Sequence, residues 1–113
     1  MKINRSCPIP MVDLFAGPGG LGEGFAAFVS SDGQPVFKIV LSIEKDDAAH
    51  STLELRSFFR QFPRKGVPLE YYQHIQGLIS REQLYAAFPI QTTAAKNVAW
   101  KVTLGEVATG CAT

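Results

Sequence analysis

Apolar residues in the first third of the chain form one short run and then a helical stripe. Residues 11–16 are mostly apolar and are bounded by Pro10 and Gly17, which predicts a buried strand. The glycine-rich stretch that follows requires a turn, and apolar residues then recur at the spacing of one helix face. These residues are Leu21, Phe25 and Phe28. The pattern predicts a strand, a tight turn and a helix that ends before Gly33.

The same alternation occurs once more. Residues 36–43 are rich in β-branched side chains and predict a second strand. Asp46 and Asp47 suit the positive end of a helix, which we expect over residues 47–62 because Pro63 would close it. The predicted buried stripe of this helix consists of Ala48, Thr52, Leu55, Phe59 and Phe62.

Beyond Pro63 the pattern predicts helices without further strands. We expect residues 64–77 to form an irregular connection. Ser80 and Gln83 fit a capping box, which predicts a short helix that ends at Pro89. A last helix is expected over about residues 93–104. The residues that define it are Ala95, Val98 or Ala99, and Val102 on the inward face, with Gly105 at its end.

The order of these elements predicts an α/β fold. Strands that alternate with helices favour parallel pairing in one sheet. Two strands are too few to complete such a sheet and would leave its edges and one face unprotected. We therefore expect residues 1–113 to be the N-terminal part of a single, larger domain.

Composition narrows the classes of function. The 113 residues carry a formal net charge of +1, so the chain has no broad basic surface of the kind that holds duplex DNA. No window approaches the about 20 apolar residues of a membrane span, and we expect a cytoplasmic protein with no membrane partner. Cys7 and Cys111 stand in no metal-ligand spacing, so we expect no metal.

Other polar and aromatic residues are assigned to the surface or to packing. A short basic run is expected to form a solvated face, and both histidines are expected at the surface. Two tyrosines and the tryptophan are expected to pack rather than to stack on bases, because the chain carries so little positive charge. These residues are Arg56, Arg60, Arg64, Lys65, His50, His74, Tyr71, Tyr72 and Trp100.

The glycine-rich turn between the first strand and helix carries the strongest functional signal. Glycines let the backbone turn sharply and approach a ligand, and the following helix presents free N–H groups to an anion. Glu44 ends the second strand, 22 positions after Gly22. A carboxylate there can accept hydrogen bonds from both hydroxyls of a ribose. The pattern Gly17, Gly19, Gly22 with Glu44 would also suit a nicotinamide-dependent oxidoreductase, and a turn without any ligand is the other alternative.

Two segments resemble the signature motifs of one family. Asp13-Leu-Phe-Ala-Gly-Pro-Gly-Gly20 resembles the first motif of the cytosine-5 DNA methyltransferases. Ser42-Ile-Glu44, followed by Asp47-Ala-Ala-His-Ser-Thr-Leu53, resembles the second. The resemblance is clear over residues 11–62 and weaker to about residue 106.

This resemblance implies a partial Rossmann-like fold that binds S-adenosylmethionine. Phe15 would lie against the adenine-ribose side of the cofactor, and Glu44 would hold the ribose hydroxyls. Lys45 stands where the family often has a bulky apolar residue, and its aliphatic stem could cover the adenine. The backbone that would cradle the methionine moiety belongs to Ala16, Gly17, Pro18, Gly19, Gly20 and Leu21.

The resemblance also implies an activity for the intact enzyme. That enzyme would transfer a methyl group to cytosine C5 of DNA, in a bacterial restriction-modification system. The family's nucleophile lies in a Pro-Cys-Gln motif, which this chain lacks, so we assign no catalytic residue and expect the chain alone to be inactive. Cys7 and Cys111 are expected to be inert. A non-catalytic regulatory or interaction protein derived from a methyltransferase is the third alternative.

Overall fold

The computed structural model describes residues 7–103. In this part of the chain, a strand and a helix are followed by a second strand, four helices and a third strand. The elements are β1 (Ile9–Asp13), α1 (Gly20–Ala27), β2 (Phe37–Glu44), α2 (Asp47–Phe59), α3 (Leu69–Ile75), α4 (Arg81–Ala87), α5 (Pro89–Val98) and β3 (Ala99–Lys101). The protein is therefore a mixed α/β protein, as the alternation of the first elements predicts.

The sheet is parallel, in the order β1-β2-β3. Ile9 pairs with Phe37 at the start of β1, and the register shifts by one residue between Met11 and Val12. Parallel pairing of the first two strands is confirmed. The expectation of only two strands is wrong, because β3 pairs with the last residues of β2, from Ser42 to Glu44. All three strands thus contribute to the sheet edge where β2 ends.

Helix α1 packs on β2 through aromatic contacts. The rings of Phe25 and Phe37 lie 5.2 Å apart edge to face, and the Phe28 ring lies 6.1 Å from that of Phe37. Two members of the predicted stripe therefore do contact the sheet. Both rings stay partly exposed, at 40% for Phe25 and 58% for Phe28, and Leu21 is 71% exposed at the start of the helix.

Helix α2 buries a different face from the predicted one. Its buried residues are Leu53, Ser57 and Phe58, whereas Ala48 and Thr52 are exposed. The reason is that α2 packs against α5, β3 and β2, so the buried residues face these elements and do not follow one helical stripe. The Ser57 hydroxyl donates to the Ala95 carbonyl at 3.0 Å, which fixes the close approach of α2 and α5.

The most completely buried cluster of the core lies between α2, α4 and α5, and further buried residues lie at the sheet, at Val36, Ile39, Ile43 and Ala99. Phe58, Leu84 and Ala95 are fully buried in this cluster. Partly buried side chains surround them: Leu55, Phe62, Tyr71, Ile79, Tyr85 and Phe88. Leu55 and Phe62 from the predicted stripe thus pack at the margin of this core and not at its centre.

The helices after α2 differ from prediction in two places. Residues 69–75 form α3, although an irregular connection was expected for 64–77. The capping box is confirmed: the Ser80 hydroxyl accepts from Gln83 N at 3.1 Å, and Gln83 Oε1 accepts from Ser80 N at 2.8 Å. Leu84 in the resulting helix α4 is part of the core.

The predicted last helix is wrong at both ends. Helix α5 begins at Pro89, which occupies its first turn, where the missing N–H costs nothing. It ends at Val98, and Ala99 opens strand β3 instead of continuing the helix. Gly105, which was expected to end the helix, lies outside the described residues.

Candidate functional site

The loop between β1 and α1 is fastened to the end of β2. Ala16 N donates to the Ile43 carbonyl at 2.9 Å, and Gly19 N donates to the Ala16 carbonyl at 3.1 Å. The loop backbone therefore lies against the edge of the sheet where β1 and β2 end. In parallel α/β sheets this is the edge where ligands bind.

The loop reverses its direction through left-handed backbone conformations. Gly17 has a φ of 58° and Gly19 a φ of 93°. A Cβ built on Gly19 would lie 2.8 Å from Leu53 Cδ1, so α2 packs directly against the loop at this point. Phe15 also has a φ of 58°, which is uncommon for a residue with a large side chain. The structure thus holds Phe15 in a conformation that costs free energy.

Glu44 is joined to the loop by a hydrogen bond. Gly17 N donates to Glu44 Oε1 at 2.9 Å, and Asp46 N donates to Oε2 at 2.8 Å. These two backbone bonds, from Asp46 first and then Gly17, lower the pKa of Glu44. The glycine-rich loop and Glu44 are separated in sequence, but the fold brings them into contact. The Glu44 carboxylate is ionised and lies beside backbone amides.

The start of α1 lies on the other side of this loop. The helix begins after Gly19, and no side chain from residues 7–103 caps it. The N–H groups of its first turn therefore have no intrahelical acceptor, as at the start of any helix. Asp13, at the end of β1, has its Oδ2 buried without a hydrogen-bond partner among the described residues, 3.4 Å from a Cβ built on Gly22.

Large apolar side chains at this edge are left exposed. Phe15 is 78% exposed and Leu21 is 71% exposed, on the two sides of the glycines. Pro18 and Lys45 are exposed as well. The structure therefore brings all of the predicted cofactor-binding residues to one edge of the sheet, around the Gly17–Glu44 hydrogen bond.

The basic run is a solvated face only in part, because Arg64 and Lys65 are exposed but Arg56 and Arg60 are half-buried. Arg60 forms an ion pair with Glu23 of α1, and desolvation lowers the pKa of Arg60 although Glu23 opposes this effect. Arg64 Nη2 donates to the Ala27 carbonyl at 2.9 Å. These two arginines therefore join α1 to the end of α2, a role that the sequence gives no local signal for. Arg56 lies beside the loop, where its Nη1 would be 3.9 Å from a Cβ on Gly20.

The histidines also have structural partners. His50 Nε2 lies 3.0 Å from the Ala99 carbonyl oxygen and connects α2 to β3. His74 Nδ1 lies 3.0 Å from the Ile79 carbonyl oxygen, and Arg81 Nε donates to His74 Nε2 at 3.0 Å. The expected surface role is wrong for both, because each ring is half-buried between segments of the chain.

Tyr71, Tyr72 and Trp100 each have a contact partner within the chain, but they differ in burial. The Tyr71 ring lies 5.1 Å from the ring of Phe59 and 5.3 Å from that of Tyr72. Trp100 Nε1 donates to the Asn97 carbonyl at 2.7 Å. The predicted packing role is confirmed for Tyr71, which lies at the margin of the core, whereas Tyr72 is 46% exposed and Trp100 41% exposed.

Cys7 lies at the opposite end of β1 from the loop. It is exposed, and strand geometry puts the six residue steps to Asp13 at about 20 Å. Cys111 lies outside the described residues. In residues 7–103 no group of histidine, cysteine, aspartate and glutamate side chains could hold a metal ion, and no helix is long and apolar enough to cross a membrane.

The surface of the described residues contains hollows both beside the loop and away from it. One of about 690 Å³ lies near the starts of β1 and β2, with Pro8 and Phe37 in its wall, and does not include Glu44. The other, of about 480 Å³, lies beside Gly20 at the start of α1. Only the second adjoins the loop, although it is the smaller of the two.

Comparisons with known proteins identify no relative. No protein-family model, curated protein or solved structure matches the chain. The function must therefore be argued from the geometry of the loop and Glu44, together with the motif resemblance.

Proposed function

We propose that this chain binds S-adenosylmethionine as the cofactor-binding part of a cytosine-5 DNA methyltransferase with a partial Rossmann-like fold. The observation that supports this most is the 2.9 Å hydrogen bond from Gly17 N to Glu44 Oε1. It joins the two segments that resemble the family's motifs, and it does so at the ligand-binding edge of a parallel sheet.

The proposed ribose site depends on the free lone pairs and the negative charge of the Glu44 carboxylate. A carboxylate has about four lone-pair positions, and the amides of Gly17 and Asp46 occupy two of them. The remaining positions can accept from the two ribose hydroxyls. Since its pKa is lowered, Glu44 is ionised at neutral pH and repels a phosphate on that ribose. A nucleoside cofactor whose ribose carries two free hydroxyls fits these properties.

The remaining contacts follow from the two ends of the loop. The uncapped amides at the start of α1 suit the carboxylate of the methionine moiety. Phe15, exposed and held at positive φ, offers an aromatic surface to the nucleoside. The stem of Lys45 can cover the adenine from the far side of Glu44.

Isothermal titration of the full chain with S-adenosylmethionine tests the proposal. We expect binding by the wild type and at least about a tenfold loss in the Glu44→Ala variant, because one ionic acceptor for two hydroxyls is removed. Glu82→Ala removes an exposed carboxylate from α4 and is the matched control. Unchanged binding by Glu44→Ala would contradict the proposed site.

NADH is the competing ligand in the same titration. A chain that binds NADH in preference to S-adenosylmethionine belongs to the oxidoreductase alternative. DNA remains the proposed partner of the intact enzyme only. We expect no methyl transfer to DNA by this chain alone, because it contains no Pro-Cys-Gln motif and Cys7 lies at the far end of β1. Transfer of a labelled methyl group to DNA by the purified chain would contradict this expectation.

A further inference from the structure

The hollow beside Gly20 has walls of opposite charge. It is lined by Gly20, Glu23, Arg56, Phe59 and Tyr71, and its volume is about 480 Å³. Arg56 supplies a guanidinium and Glu23 a carboxylate, while Phe59 and Tyr71 form an aromatic wall with ring centroids 5.1 Å apart. A ligand group that carries one charge of each sign would meet a partner for both.

Arg56 differs from the other arginines of the run in lacking a partner. Arg60 pairs with Glu23, and Arg64 donates to the Ala27 carbonyl. No hydrogen bond or ion pair involves the Arg56 guanidinium within residues 7–103. A half-buried guanidinium without a partner is a favourable donor for a carboxylate, since much of its desolvation is already complete.

The other two polar groups of the hollow can still accept or donate. Glu23 accepts from Arg60 through Oε1, which leaves its second oxygen for an ammonium group. Burial raises the pKa of Tyr71, so its hydroxyl stays protonated at neutral pH. The hollow therefore offers a bidentate cationic donor, an anionic acceptor and a neutral hydroxyl.

The hollow and the ribose site lie at the two ends of one short loop. Gly17 N bonds Glu44, and a Cβ on Gly20 would be 3.9 Å from Arg56 Nη1. Three residue steps span at most about 11 Å, so the two sites lie within the length of a nucleoside joined to an amino acid.

We propose that the hollow holds the α-amino-acid end of the cofactor, with Arg56 donating to its carboxylate and Glu23 accepting from its ammonium group. This assignment rests on the proposed function, because Glu44 is taken to hold the ribose of the same molecule. Arg56 thereby determines specificity for a zwitterionic tail, while Glu44 determines specificity for the nucleoside.

Two ligands that differ only in this tail provide the test. S-Adenosylhomocysteine carries the amino acid, whereas 5′-methylthioadenosine ends at a methylthio group. In titrations of the full chain, Arg56→Gln should weaken S-adenosylhomocysteine binding about tenfold to a hundredfold, the usual effect of losing a charge-assisted hydrogen bond. The same variant should change 5′-methylthioadenosine binding by no more than about twofold, which also shows that the variant is folded.

Three further variants complete the design. Lys65→Gln removes an exposed positive charge that does not line the hollow and should leave both ligands unaffected. Arg56→Lys should recover part of the loss, since it restores the charge but not the planar fork. Glu23→Gln should weaken only S-adenosylhomocysteine, by a smaller factor than Arg56→Gln.

The outcomes separate this inference from the proposed function. Equal effects of Arg56→Gln on both ligands, or no effect on either, would overturn the role of Arg56 while binding by the wild type upholds the nucleoside site. A wild-type chain that binds neither ligand refutes the proposed function and this inference together. Selective loss of S-adenosylhomocysteine binding supports both.

Discussion

The loop half of this chain, residues 7–46, and the helical half, residues 47–103, differ in how completely they bury their apolar residues. In the helical half, Phe58, Leu84 and Ala95 are all 0% exposed and form the core between α2, α4 and α5. In the loop half, Phe15 and Leu21 remain exposed beside backbone held at positive φ. Val36, Ile39 and Ile43 are also buried in the loop half, so the contrast is confined to the glycine-rich loop. This loop keeps apolar surface and conformational strain that a ligand can use, whereas the most completely buried contacts lie between the helices.

The largest expected effect is on the helical half. Phe58→Ala should lower the free energy of unfolding by about 3–5 kcal/mol, because it opens a cavity at a fully buried site. Phe25→Ala, which removes the same side chain from the half-exposed contact with Phe37, should cost about 1–2 kcal/mol. Urea unfolding followed by circular dichroism measures both. Equal losses would remove the distinction between the two halves.

The second prediction concerns the point where the two halves meet. Gly19→Ala should destabilise the chain by about 2–3 kcal/mol, since alanine at this φ is strained and its Cβ would collide with the buried Leu53 side chain. Gly17→Ala is the matched control, with positive φ but open space around it, and should cost about 1 kcal/mol. Thermal unfolding of both variants measures the difference in stability. A larger destabilisation by Gly17→Ala than by Gly19→Ala would contradict the packing argument.

At high pH the helical half should weaken through Tyr85. Burial raises the pKa of Tyr85 to about 12, above the value of about 10 in an unfolded chain. Its contribution is therefore fully present below about pH 10 and is lost as the pH rises toward about 12. Wild-type stability should fall over this window relative to Tyr85→Phe, which cannot ionise.

Denaturant midpoints at pH 9 and at about pH 11.5 measure this change. The exposed Tyr72 provides the control, because its replacement by phenylalanine should leave the alkaline loss in place. If Tyr85→Phe loses as much stability as the wild type, the alkaline transition has another origin.

The smallest effect is expected at Glu44 in acid. Its pKa is lowered by the backbone bonds from Asp46 and Gly17, so its contribution is present above the unfolded value of 4.5 and is lost as the pH falls through the folded value. The stability difference between the wild type and Glu44→Gln should therefore shrink below pH 4.5. Midpoints measured across that range test it, and a difference that is constant with pH would contradict the role of the ionised carboxylate.

Local signals in the sequence were sufficient for several features of the fold. The capping box at Ser80 and Gln83 predicts the start of α4, since both hydrogen bonds form within four residues. The positions of β1, α1 and β2 follow from short runs bounded by proline and glycine, with end errors of one to three residues. The meeting of the loop with Glu44 was also predicted, because parallel strands end at a common edge.

Other features could not be read from local patterns. Ala99-Trp-Lys101 has no strand signal of its own and becomes β3 by pairing with the end of β2. This pairing brings Lys101 next to Asp47, and the two form an ion pair. The hydrogen bond from Lys101, and then its positive charge, lower the pKa of Asp47. The short helix α3 likewise lacks a strong stripe, with none of its residues buried. Such elements depend on neighbours that are distant in sequence.

The sequence alone therefore determined the turn, the caps and the residues of the candidate cofactor site, because these depend on backbone conformation and on spacing along a few residues. Only the tertiary structure decided which face of α2 is buried, that Arg60 and Arg64 join α1 to α2, and that Arg56 remains unpaired beside Gly20. The physical reason is that burial and ion pairing are properties of contacts between elements. Nothing in the periodicity of one helix specifies which surfaces will surround it.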